Sequence, residues 1–117
     1  MAPFLMVCPD EGKKLRTDRD AVQLIGEALQ AGARMVVIPV ERLDDDFFRL
    51  RTGAAGEFIQ KFVTYKLRLA IVGDISAYVA ESSALRDFVY KANRSEHFWF
   101  VDTREALDQR LLTTGDI

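Results

Sequence analysis

Three apolar runs constrain this chain more than any other feature. "RMVVIPV" (34–40), "RLAIVGD" (68–74) and "HFWFV" (97–101) hold apolar side chains at successive positions, without polar alternation. A strand that alternates leaves one face to water, whereas an unbroken run is covered on both. Sheets covered on both faces are built from parallel strands, and parallel neighbours need a long crossover, usually a helix. The segments between the runs supply such crossovers. In "TDRDAVQLIGEALQAG", Ala21, Val22, Leu24, Ile25, Ala28 and Leu29 recur at helical spacing. Thr17 suits its N-cap, Asp18 and Asp20 its first turn, and Gly32 its C-terminal stop. "GAAGEFIQKFVTYKL" carries a stripe of Phe58, Ile59, Phe62 and Val63. "ISAYVAESSALRDFVYKANR" reads as a helix in one or two pieces, with Ser82 or Ser83 placed to cap the second. "DTREALDQRLL" reads as a closing helix with Asp102 and Glu105 at capping-box spacing.

The N-terminal run "FLMVC" (4–8) is followed by "PDEG", residues with turn chemistry, so "KKLR" is expected to pair back as a hairpin strand. Pro39 cannot donate to a ladder and is expected to end regular pairing in its strand. The expected fold is therefore α/β. One domain over residues 1–117 holds a mainly parallel sheet of four to five strands, about four helices and a loose tail at 113–117.

The bulk numbers narrow the function classes. A length of 117 residues suits one core. A formal net charge of −2 offers no basic surplus for nucleic acid or anionic lipid. A single cysteine, Cys8, rules out an intrachain disulfide, and with a single histidine, His97, it argues against zinc. Cys8 lies in an apolar run and reads as a buried, inert thiol. "MAPFLMVCPDEG" lacks the pattern of a secretory leader, and no apolar run has bilayer length, so a cytoplasmic protein is expected.

In open α/β sheets, ligands and partners meet the carboxyl ends of the strands. That rule gathers four segments on one rim: Glu41, Arg42 and Asp44; Arg49 to Gly56; Gly73, Asp74 and Ser76; and Asp102. Within "RLRTGAAGE", Thr52 and Gly53 to Gly56 open a helix, whose free N–H groups and positive dipole end suit an anion beside Arg49 and Arg51. The plainer reading is a Thr52 cap, with small residues that let the helix lie close to the sheet. The stretch lacks the spacing of a P-loop. Asp74 offers a base or a metal ligand, or a cap for the helix that follows. "LDDD" (43–46) offers carboxylates to magnesium, or negative charge to a helix start. His97 has no evident catalytic companion, and no metal site, cofactor or catalytic set is nominated. Phe98, Trp99 and Phe100, with Phe47 and Phe48, read as core or, if one face is open, as a docking surface.

"FFRLRTGAAGEFIQKF" and "LAIVGDIS", followed by "SSALRDFVYKANR", resemble a bacterial family catalogued as domain of unknown function 4180, over nearly the whole chain. That family name implies no activity. At the level of fold, the order of elements is also similar to STAS-type, SpoIIAA-like domains. In the antagonists among them, a serine or threonine at a helix start is phosphorylated and the same loop docks a partner kinase. The resemblance places Thr52 at that position, with Arg51 where the antagonists carry an acid. The resulting expectation is a non-enzymatic, regulatory or protein-interaction module that binds through the rim at 41–56 and 73–78. The alternatives are a small-molecule or anion-binding domain, or a minor enzyme, using the helix start at 52–56 with Arg51 and Asp74, and a homodimeric structural protein.

Overall fold

The computed structural model describes residues 5–113. Four strands, β1 (Leu5–Val7), β2 (Met35–Pro39), β3 (Arg68–Val72) and β4 (Phe98–Val101), form one sheet in the order β1-β2-β3-β4. Every neighbouring pair is parallel. Five α-helices join or close them: α1 (Asp18–Ala31), α2 (Ala54–Thr64), α3 (Ser76–Glu81), α4 (Ser83–Arg94) and α5 (Arg104–Thr113). Three 3₁₀ turns, Val40–Arg42, Asp45–Phe48 and Leu50–Thr52, fill the path from β2 to α2.

The sequential strand order explains the layering. Right-handed crossovers that always step the same way put their helices on the same face. One face carries Val36, Ile38, Leu69, Ile71, Phe98 and Phe100, packed with Leu24 and Ile25 of α1, Phe58 and Phe62 of α2 and Leu85 of α4. Phe47 and Phe48 join that core, with Phe47 edge-on to Phe58 at 5.6 Å. Only α5, which follows the last strand, is free to cover the other face. Its Leu107 and Leu111 close over Met35, Val37, Ala70 and Trp99. The aromatic residues of the fourth run are thus core on both faces, as parallel pairing requires.

Thr17 caps α1 and completes a capping box. Its hydroxyl accepts from the Asp20 N–H, and the Asp20 carboxylate accepts from the N–H groups of Arg16 and Thr17. Gly32 ends the helix in the left-handed region, at φ 77°. Ser82 caps α4 by accepting from the Leu85 N–H, so the 76–94 segment is two helices. β2 ends at Pro39, where the chain turns into its first 3₁₀ turn.

Three expectations are corrected. The "KKLR" segment does not return as a hairpin strand: β1 pairs with β2 in parallel, and Leu15 makes a single parallel bridge to Leu43. Arg42 decides this, because its guanidinium donates to the carbonyls of Pro9 and Lys13 and holds the 9–13 loop against the end of β2. At α5, Thr103 rather than Asp102 serves the helix start, accepting from the Ala106 N–H at 3.0 Å. The fourth strand begins at Phe98, leaving His97 exposed outside it. Phe4 of the first run and residues 114–117 of the tail lie outside the described residues.

Candidate functional site

An all-parallel sheet brings the carboxyl ends of its strands to one edge, so the loops after β2, β3 and β4 do share a rim. Gly73 fixes how closely the first two approach. It sits at φ 143°, and a Cβ there would lie 2.7 Å from Val40 Cγ2 and 2.9 Å from Val40 Cβ. The chain leaving β3 therefore presses backbone against the first 3₁₀ turn. Beyond it, the Asp74 carboxylate accepts from the Ser76 N–H at 2.9 Å. The Ser76 hydroxyl and N–H hold the exposed Asp74 below the usual carboxylate range. Asp74 thus serves the start of α3, the structural role open to it in the sequence.

The segment from Asp44 to Gly53 has no helical periodicity and is held by side chains. Asp44 accepts from the Asp46 N–H at 3.0 Å and starts the second 3₁₀ turn. Asp46 pairs with Arg49 at 2.8 Å and with Arg16 at 3.5 Å. The Thr52 hydroxyl donates to the carbonyls of Arg49, at 2.8 Å, and Asp46, at 3.1 Å, and accepts from the Ala54 N–H at 3.2 Å. Thr52 is therefore a clip across two turns, and Gly53, at φ 78°, is the residue at the N-cap of α2, with no side-chain cap of its own. The small residues after it have different reasons. Gly53 supplies the left-handed backbone and Ala55 is buried, but a Cβ on exposed Gly56 would meet nothing within 4 Å. Close packing, the plainer sequence reading of this stretch, does not account for Gly56.

Tyr78 joins the two halves of the rim. Its ring stacks on Phe48 with centroids 4.2 Å apart, and its hydroxyl donates to Asp45 at 2.7 Å. The bond to Asp45, then burial, pushes the phenol pKa up. Phe48 reads in the sequence as core or docking aromatic, whereas nothing in the sequence singles out Tyr78 as its partner. The three carboxylates of "LDDD" are thus spent on a cap, a tyrosine and an arginine pair. Among the described residues, no group of three metal-ligating side chains is placed to hold an ion.

The candidate residues divide among separate hollows. Arg49 and Arg51 line one of about 690 Å³ with Phe48, Tyr78, Glu81 and Ser82. Asp74, Ser76 and Asp102 line another of about 410 Å³, at the ends of β3 and β4. Arg42 faces a third of about 220 Å³, beside Cys8, Lys13, Asp20 and Glu27. Burial pushes the Cys8 thiol up, partly opposed by Arg42. Glu41 stays near the Gly73 turn, its carboxylate 3.6 Å from where a Cβ would stand. Arg51 and Asp74, paired in the anion-site reading, do not share a hollow.

A profile of the family described as "Domain of unknown function (DUF4180)" matches residues 3–111. No curated protein and no solved structure matches the chain.

Proposed function

The chain belongs to the DUF4180 family, and from that premise we propose that it is a non-catalytic interaction module, docking a protein partner on the rim formed by 41–56 and 73–78. One observation carries the reading. Many of the rim's polar side chains are already engaged: Asp46 with Arg49 and Asp45 with Tyr78, Thr52 on the Arg49 carbonyl, and Asp74 on the Ser76 N–H. Such a surface is preorganised for docking, at little cost in ordering. It is poorly suited to acid–base chemistry, which needs a group tuned towards neutral pH. The shifts resolved near the rim run the other way: Asp74 down, Tyr78 and Cys8 up.

The regulatory part of the STAS-type likeness belongs to this proposal. Phosphate on exposed Thr52 would require its hydroxyl to release the Arg49 and Asp46 carbonyls. The group would then sit at the start of α2 near Arg49 and Arg51, where negative charge is tolerated. It would act chiefly by obstructing the partner. The proposed setting is the cytoplasm. No helix among the described residues is long and apolar enough to cross a membrane.

The test is comparative affinity capture from cells that make the protein. The baits are the wild type, Arg51→Glu on the rim, and Lys91→Glu in the last turn of α4 as a charge-matched control. The proposal expects a protein held by the wild type and the control and lost from the rim variant. Equal capture by all three would contradict it.

A further inference from the structure

The two outer strands of an open sheet present N–H and C=O groups on which another chain can add a strand. At β4 the outward N–H groups are taken. Leu69 N–H donates to the His97 carbonyl and Gly73 N–H to the Val101 carbonyl, so the odd positions of β4 face β3. Phe98 and Phe100 therefore turn their backbone outward. The outward Phe100 N–H donates to Asn93 Oδ1 at 2.7 Å, and the Phe98 N–H meets Ser95 Oγ at 3.4 Å. Ser95 Oγ also lies 3.4 Å from the Phe98 carbonyl. The end of α4 and the turn after it thus lie along the edge and imitate a neighbouring strand.

That segment is clamped from the α5 face. Trp99 Nε1 donates to the Ser95 carbonyl at 2.7 Å, Arg110 donates to the Asn93 carbonyl, and Arg68 Nε donates to the Glu96 carbonyl at 2.9 Å. The guanidiniums of Arg110 and Arg68 stand 3.9 Å and 4.6 Å from the Trp99 ring centroid. Desolvation, then the nearby Arg68, lowers the Arg110 pKa. Holding the 93–96 backbone in place accounts for the cluster.

We propose that Asn93 and Ser95 form a built seal that keeps a second copy of this chain from adding to the sheet at β4. The seal is independent of the docking rim and stands whether or not a partner binds there. Asn93→Leu/Ser95→Ala removes both acceptors. Asn93→Asp keeps an acceptor oxygen and serves as the conservative control. Light scattering across a concentration series should show a roughly twofold or greater rise in mean mass for the double variant, as exposed edges pair. The Asp variant should behave as the wild type. A folded double variant with unchanged mass would overturn the proposal. Should the double variant fail to fold, amide exchange of the wild type decides: a Phe100 N–H as slow as those of β3 supports the seal, and one exchanging like a solvent-exposed amide removes it.

Discussion

The two ends of the sheet are built to different rules. At the amino-terminal end of the strands, α1 and α2 each return to the next strand through a short, tight turn. Gly32 closes α1 at φ 77°, and its N–H and that of Ala33 are taken by helix carbonyls. Lys66 plays the same part after α2 at φ 58°, with its N–H on the Val63 carbonyl and the Leu67 N–H on the Phe62 carbonyl. At these two turns backbone satisfies backbone, whereas the return from α4 to β4 also draws on the side chains of Ser95, Trp99, Arg68 and Arg110. At the carboxyl end, three 3₁₀ turns and the Gly73–Ile75 link are held by side chains, locally through Thr52 and Asp74 and across the fold through Tyr78. An end that needs only connection is minimal. The other end carries fourteen residues of irregular chain between β2 and α2, fixed in place, and is the surface proposed for docking.

The largest test of this contrast is Gly73→Ala. The added Cβ would collide with Val40 in a backbone that L-residues rarely adopt, and unfolding should show a loss of roughly 3 kcal/mol or more. Asp20→Ala comes next, at about 1–2 kcal/mol, because it strips the start of α1 of its reciprocal cap. Burial alone would raise the Asp20 pKa, but the N–H groups of Arg16 and Thr17, with Lys13, bring it below the ordinary value. A folded pKa below the unfolded one gives stability that is present above about pH 4 and fades as pH falls. The gap between wild type and Asp20→Ala, followed by chemical denaturation, should therefore narrow in acid. At the opposite end, Lys66→Gly should raise stability by about 1 kcal/mol, since the left-handed position there belongs to glycine. Gly56→Ala should add roughly 0.5 kcal/mol, as an exposed helical position with open space around it. If Gly56 is kept small for a partner's approach, the same variant will capture that partner less well while melting higher.

How much of this could be read from the sequence differs between the same two ends. The buried strands, the crossover helices, the parallel sheet and the caps at Thr17, Gly32 and Ser82 follow from periodicity and local capping chemistry, which act within a few residues. The rim depends on irregular local turns and on a few distant partners. Turn residues at Pro9 to Gly12 suit a hairpin or a plain loop equally, and Arg42, about thirty residues away, selects the loop. The Thr52 hydroxyl finds the nearby Asp46 and Arg49 carbonyls only because of the irregular path of 46–52, which has no periodicity to read. Tyr78 becomes a bridge only once the 45–48 turn reaches it. The strand-end rule located the rim, but it could not show that Arg42, Arg51 and Asp74 would open into three separate hollows.

Site-specific photo-crosslinking compares the two ends within one molecule. A photoreactive side chain replaces Arg51, on the rim, or Lys66, at the opposite end, in cells that make the protein. Both sites are exposed, and neither replacement removes a core contact. The account predicts a discrete adduct from position 51 and none from position 66. An adduct from position 66 alone, or none from either, would contradict the assignment of the rim as the docking surface.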